Sequence, residues 1–146
     1  MDTKSFTATL ASLIQDAKTA AFATVDSDGQ PNMRWMTPTL LDDRPGAIYA
    51  VTSPDFRKIK HLESNPKAQW MFQSKLLDKI VTVGGIVNIV DNSSMKAEVL
   101  EAIGRRLTIF WRINPDAAKL VVVETIMHHG FYFEPMTERR EIVTFE

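Results

Sequence analysis

The sequence predicts a mainly β fold, an antiparallel β-barrel with flanking helices and about six to eight strands. Short apolar segments, many with alternating polarity, are separated by turn-forming clusters such as DSDGQP (26–31) and DDRPG (42–46). Few segments show helical periodicity, and helices do not alternate with strands as they do in βαβ proteins. These two observations together favour a closed or nearly closed antiparallel barrel.

The N-terminal half begins with a predicted amphipathic helix over residues 3–18, capped by Asp2 or Thr3. Its apolar residues recur at spacings of three and four: Phe6, Leu10, Leu13, Ile14 and Ala17. Three strands are predicted next, at 20–26, 32–41 and 47–52. The two turn clusters join them into an antiparallel meander.

The remaining segments are predicted from the same patterns. Strands are expected at 68–74, 78–90, 118–126, 130–135 and 140–146, and a helix at 94–103 before Gly104. Residues 105–116 are ambiguous. Pro38 inside the second strand and Gly84-Gly85 inside the fifth indicate a break in the ladder or a bulge.

Composition excludes several function classes. The length of 146 residues suits a single domain, residues 1–146, with a sizeable core. The absence of cysteine excludes disulfides and thiolate metal sites, and three histidines offer few ligands for zinc. A net charge of −1 argues against a general nucleic-acid binder. No apolar run approaches a membrane span and the first residues lack a secretory pattern, so a cytoplasmic location is expected.

The stretch TSPDFRKIKHLESNP (52–66) predicts a short helix with Ser53 as its cap and Pro54 in its first turn. Its apolar residues, Phe56, Ile59 and Leu62, are expected to face the core. Arg57, Lys58 and His61 are expected on the exposed side. Cations at a helix N-terminus oppose the helix dipole unless an anion binds there.

Neighbouring residues suggest what that anion is. Arg34 lies in a strand among apolar residues and needs a partner for its guanidinium, while Thr52 and Ser53 place hydroxyls at the start of the helix. Together with Arg57 and Lys58 they provide the charge and the donors that a phosphate requires. The alternative is a solvated basic helix face.

The order of these motifs resembles the FMN-binding split-barrel family of pyridoxamine 5'-phosphate oxidase-like proteins, and more closely its general stress protein branch. A DxDGxP turn, a strand with Arg34, a strand ending in Thr52, the Arg57-Lys58 pair, an Asn-Pro and a VxVxG strand occur in this order over residues 7–135. The resemblance implies FMN as the cofactor, with deazaflavin or haem as alternatives, bound at a homodimer interface.

The resemblance also implies individual cofactor contacts. Arg34 and the Arg57-Lys58 pair would hold the phosphate. The strand segment along the flavin would contribute further residues: Trp35, Met36, Thr37 and Thr39, with backbone groups of 36–39 at the polar edge of the ring. The remaining implied contacts are Val51, Thr52, Lys79 near the pyrimidine side of the ring, and Trp111 with Arg105 and Arg106 as a cover from the partner subunit. An alternative role for Trp111 is core packing. Trp35 and Trp70 are expected to pack in the barrel or at an interface.

Departures from the family pattern limit the functional prediction. True oxidases carry a Lys where this chain has Thr39, and nothing in residues 93–112 matches their substrate-binding RPxxS element. Oxidation of vitamin B6 is therefore not expected. The prediction is an FMN-dependent oxidoreductase with an unknown substrate and a small-molecule electron donor or acceptor. The alternatives are a non-enzymatic flavin-binding stress or sensor protein, a deazaflavin-dependent reductase, and a nucleic-acid-binding barrel that stacks bases on Trp70 and Phe72.

No acid–base constellation is predicted. Asp26 and Asp28 lie in a turn cluster, where hydrogen bonds to the backbone explain them. His128 and His129 precede Gly130 between two predicted strands, so a turn is expected there as well.

Overall fold

A computed structural model describes residues 1–104, 108–113 and 116–146. Within this part of the chain, seven antiparallel strands and four α-helices form a strand-rich split barrel. The helices are α1 (Thr3–Ala17), α2 (Arg57–Ser64), α3 (Ser93–Ile103) and α4 (Thr108–Ile113). The strands are β1 (Ala20–Val25), β2 (Pro31–Met36), β3 (Ala47–Thr52), β4 (Lys67–Gln73), β5 (Ile80–Val90), β6 (Val121–Glu134) and β7 (Arg139–Thr144).

The strands form one sheet in the order β2-β1-β4-β5-β6-β3, and β7 adds to the far end of β6. The two edges approach each other after β2 ends, because Thr39 forms an isolated bridge with Tyr49 of β3. Pro38 lies in this transition, which confirms the predicted break in the ladder. The barrel is therefore closed by a single bridge instead of a full strand pair.

Strand β6 corrects one prediction. The sequence predicted two strands with His128 and His129 in a turn between them, but β6 runs without interruption through both histidines. The register shifts at Gly84 and Gly85 of β5, where Gly84 pairs with His129 and Gly85 with Met127. The predicted irregularity at the two glycines is confirmed. It leaves His128 as the extra residue, so both adjacent histidines are exposed.

The main core lies inside the barrel and is covered by α1. Asp2 caps this helix by accepting a hydrogen bond from the backbone of Ser5. Phe6 of α1 is fully buried and lies directly over Gly130 of β6, where an added Cβ would be 2.2 Å from the Phe6 ring. Trp70 is also fully buried, as expected for packing. With Phe72 buried beside it, the proposed base-stacking platform is wrong.

A second apolar cluster lies between the sheet and the later helices. It joins Tyr49 and Val51 of β3 to Val99 of α3 and Phe110 of α4. Gly104 ends α3 with a positive φ, as predicted. Among the described residues, no helix combines the length and the apolar character that crossing a lipid bilayer requires.

Candidate phosphate site

Helix α2 starts later than the sequence suggested. Residues 53–56 form a turn in which the backbone N–H of Phe56 donates to the Ser53 carbonyl at 3.2 Å. The helix begins at Arg57, and its N-cap residue, Phe56, provides no side-chain hydrogen bond. Arg57 and Lys58 are therefore its first two residues, and no acidic side chain lies in the first turn. The two cations are therefore nearer to the positive end of the helix dipole than predicted, and their repulsion by the dipole is larger.

Lys58 is buried, with 8 % of its surface exposed, so the prediction that it faces solvent was wrong. Its ammonium donates to Thr52 Oγ1 at 3.1 Å and lies 4.4 Å from the centre of the Phe56 ring. Phe56 itself is partly exposed and does not enter the core, where the sequence had placed it. Burial, followed by the charge of Arg34, lowers the pKa of Lys58 to about 8.

Arg34 points to the inner side of β2. One terminal nitrogen, Nη1, donates to Thr24 Oγ1 at 2.7 Å and to the Phe22 carbonyl at 3.3 Å. Partial burial, followed by the charge of Arg57, lowers the pKa of Arg34. The structure thus brings Arg34, Arg57 and Lys58 together, as the sequence predicted.

The charge of this group has no acidic counterpart within the part of the chain that the structure describes. Among the described residues, none of the ion pairs involves Arg34, Arg57 or Lys58. Arg34 on β2 repels Arg57 and the buried Lys58, the first two residues of α2, and an anion bound there would offset this repulsion. An FMN phosphate fits this donor set.

Sequence reasoning missed Thr24, and it placed His61 on the exposed side of the helix without a partner. The Thr24 hydroxyl lies between Arg34 and His61, whose Nδ1 is 3.0 Å away. The Asp-Gly turn sets β1 against β2 so that Phe22 faces Arg34. Thr24 lies on the same face of β1, two residues on, and alternation along that strand could have identified it.

In the segment after Arg34, Thr39 and Thr37 differ in whether their polar groups already have hydrogen-bond partners. The backbone N–H of Thr39 donates to Tyr49 at 2.7 Å and the Thr39 carbonyl accepts from Tyr49 at 2.8 Å. The Thr39 N–H is therefore occupied by the bridge, and a backbone contact of residues 36–39 with a flavin stays a prediction. Thr37 differs from Thr39. Its side chain is buried, and within the described residues its hydroxyl has no hydrogen-bond partner. It lines a groove of about 1440 Å³ between α1, residues 37–47 and the end of β7.

The other predicted contacts on β2 and β3 are divided between two faces. Met36 is buried in the barrel core, and Val51 in the second cluster. Trp35 is partly exposed on the outer face of β2, away from Arg34, so it does not pack inside the barrel and packing at an interface stays a prediction. Of the Val51-Thr52 pair, only Thr52 reaches the cation group, through its hydrogen bond from Lys58.

Two predicted contacts lie elsewhere in this chain. Lys79 is exposed at the β4–β5 turn, where its charge acts on Asp78 and Glu134. Trp111 packs against the second cluster and donates from Nε1 to the Gly104 carbonyl at 3.2 Å, which favours its core role. Arg105 and Arg106 lie outside the described residues. A contact from any of these to a cofactor bound by a partner subunit stays a prediction.

Comparison with known families identifies the relationship. The model of the family described as pyridoxamine 5'-phosphate oxidase matches residues 6–132. The chain belongs to this family. No protein of curated function matches the sequence significantly.

Several solved structures have the same fold as this chain. A Clostridium acetobutylicum protein related to general stress protein 26 has 16 % identity and a TM-score of 0.76, with 99 % of this chain and 97 % of that chain covered. General stress protein 26 from Bacillus anthracis has 19 % identity and a TM-score of 0.73, with 96 % and 98 % covered. A related FMN-binding protein from Nostoc punctiforme has 13 % identity and a TM-score of 0.68, with 95 % of each chain covered.

Asp26 and the two adjacent histidines of β6 lie outside the cation group. Asp26 accepts hydrogen bonds from the backbones of Asp28 and Gln30, which lowers its pKa and supports the predicted turn role. His128 and His129 are on the exposed face of β6 instead of in a turn. In the described part of the chain, no three His, Cys, Asp or Glu side chains are grouped to hold a metal.

Proposed function

We propose that this member of the pyridoxamine 5'-phosphate oxidase family binds FMN and holds the flavin phosphate between Arg34, Arg57 and Lys58. The observation that carries the proposal is the group of three cations without an acidic partner among the described residues. A phosphate dianion would offset their repulsion and would accept from the guanidinium of Arg34. The same charge argument favours a phosphorylated ligand over haem.

The rest of the flavin would follow the chain from Arg34 to the groove at Thr37. Three residues of extended chain span about 10 Å, a distance of the order of the ribityl chain that links the phosphate to the ring. The unpaired hydroxyl of Thr37 would contact a polar edge of the ring, which supports this direction of binding. Thr52 would complete the phosphate end beside Lys58.

The proposed activity is that of an oxidoreductase. Bound FMN supplies hydride and electron transfer, so the protein needs to bind and orient it and need not provide an acid–base pair. This agrees with the site, in which His61 is held by Thr24 and no second titratable base lies within hydrogen-bond distance of it among the described contacts. A small-molecule donor such as a nicotinamide would reduce the flavin.

We also propose that two copies associate through the outer face of the sheet. One cross-strand row contains Trp35, Ala21, Met71, Thr82, Phe131 and Ile142. The adjacent row contains Met33, Ala23, Gln69, Gly84, His129 and Thr144. Neither row has an Asp, Glu, Lys or Arg, although such residues make up 24 % of the chain. A face without such charges, one row of which is largely apolar, suits a self-complementary interface. It would bring β2 of each copy next to the partner.

The visible absorption spectrum of the untreated purified protein, followed by acid release and chromatography, tests the cofactor. We expect the protein to show a flavin spectrum that a nicotinamide donor bleaches under anaerobic conditions. The chromophore released by acid should be FMN. Released deazaflavin or haem would retain the fold but change the cofactor. A colourless protein that also fails to bind added FMN would contradict the proposal.

A pair of matched variants tests the site itself. Arg57 and Lys60 are exposed cations of the same helix, but only Arg57 belongs to the group around Arg34. We expect Arg57→Ala to weaken FMN binding about tenfold, because a charged hydrogen bond is lost. Lys60→Ala should change it by no more than about twofold. Equal effects of the two substitutions, measured by flavin fluorescence titration, would reject the assigned site.

A further inference from the structure

The contact between Thr24 and Arg34 has a defined hydrogen-bond direction. A guanidinium is only a donor, so Thr24 Oγ1 accepts from Arg34 at 2.7 Å. The single proton of the Thr24 hydroxyl is then available for Nδ1 of His61 at 3.0 Å. When the Thr24 hydroxyl donates, Nδ1 of His61 is the acceptor, which requires the tautomer with its proton on Nε2. Thr24 is 1 % exposed, so water does not compete for this hydroxyl.

These contacts leave most of the Arg34 guanidinium available. Of its donors, only those on Nη1 are used, by Thr24 and by the Phe22 carbonyl. Nε and Nη2 form no hydrogen bond within the described part of the chain. A guanidinium held along one side with its other donors open is suited to bidentate phosphate binding.

The contacts also connect the two halves of the cation group. Thr24 lies on β1 and His61 on α2, one turn after Arg57 and Lys58. The Thr24 hydroxyl is thus a bridge from the strand that pairs with Arg34 to the helix that contributes the other two cations. Loss of the bridge would free both the guanidinium and the helix to move relative to each other.

We infer that Thr24 and His61 are positioning residues that make the proposed site selective for a phosphorylated flavin. The Thr24 hydroxyl fixes Nη1 of Arg34, and the acceptor on His61 directs the hydroxyl proton away from that guanidinium. The inference rests on the proposed function, because the phosphate that Arg34 would bind is that of FMN. It adds a specificity role for two residues that do not themselves touch the ligand.

Binding of FMN and of riboflavin, which lacks the phosphate, tests the inference. Thr24→Val removes the hydroxyl at nearly constant volume and should weaken FMN binding about tenfold or more. Riboflavin binding should stay within about twofold of the wild type. Inorganic phosphate, used as a competitor of FMN, should lose affinity by a factor similar to that for FMN. Thr24→Ser and His61→Gln retain the hydroxyl and an acceptor and should restore most of the selectivity.

Thr125→Val is the matched control. Thr125 is also buried, but its hydroxyl accepts from Trp70 Nε1 at 3.0 Å on another part of the barrel. This variant should lose stability without a change in the ratio of FMN to riboflavin affinity. If Thr24→Val weakens FMN and riboflavin equally, or leaves folded protein with unchanged FMN affinity, the inference is wrong while the proposed function stands. Wild-type protein that binds neither flavin would reject both.

Discussion

At the scale of single residues, the buried ammonium of Lys58 makes the site sensitive to pH. Its pKa of about 8 in the ligand-free protein would rise when a phosphate binds, because the anion favours the charged amine. Binding is therefore strongest below about pH 8 and weakens as the pH rises through that value. The phosphate has its second pKa near 6 and stays doubly charged in this range.

We therefore predict that the dissociation constant of FMN increases between about pH 7 and pH 10, with a limiting slope of at most tenfold per unit. Lys58→Met retains an apolar stem but has no titrating amine. Its affinity should be lower than that of the wild type at pH 7 and nearly constant over the same range. Fluorescence titrations in a constant-ionic-strength buffer measure both. A wild-type affinity that is flat with pH would show that Lys58 does not contact the phosphate.

The same residues show what the sequence could and could not predict about the site. The type and order of the cations predicted an anion site, because charge at a helix start follows from the sequence alone. The burial of Lys58 was missed because Ser53 and Pro54 resemble a helix cap and first turn. The chain instead makes a turn there and starts the helix at Arg57, which places Lys58, Ile59 and Leu62 on the buried face. That choice depends on the fit of the helix against β1, which is a tertiary contact.

At the scale of the secondary-structure elements, Gly130 shows how α1 is seated on the barrel. The Phe6 ring occupies the space that a side chain on Gly130 would need. The sequence suggested a turn at Gly130, whereas the glycine is used for close approach of a helix from the other end of the chain. Local patterns found the two apolar runs correctly, but they could not show that one strand contains both.

We predict that Gly130→Ala destabilises the protein by about 1–3 kcal/mol, because the buried Phe6 ring has to move. Gly84→Ala is the matched control in the paired strand. Its added Cβ would meet the ring of His129, an exposed side chain that is able to rotate away. The cost there should be below about 1 kcal/mol. Denaturant unfolding of the two variants measures the difference, and equal losses would argue against the tight seating of α1.

At the scale of the whole molecule, strand count and turn spacing predicted an antiparallel barrel, which the sheet order confirms. The way the barrel closes was only partly predictable. Pro38 indicated a break, but the partner of the following residue, Tyr49, is set by packing of the two sheet edges. The outer face was also missed. Trp35, Met71 and Phe131 are far apart in sequence, and only the strand register aligns them into one exposed row.

The last prediction concerns this outer face. Phe131 is 42 % exposed within the apolar row, between Thr82 and Ile142, whereas Met136 is 86 % exposed in the β6–β7 turn beyond it. If a second copy covers the row, Phe131→Glu buries a charge in the interface and should convert a dimer into a monomer. Met136→Glu adds the same charge outside the rows and should leave the dimer intact. Sedimentation velocity at several protein concentrations measures both. A monomeric wild type, or a Phe131→Glu variant that remains dimeric, would contradict the proposal that two copies associate through this face.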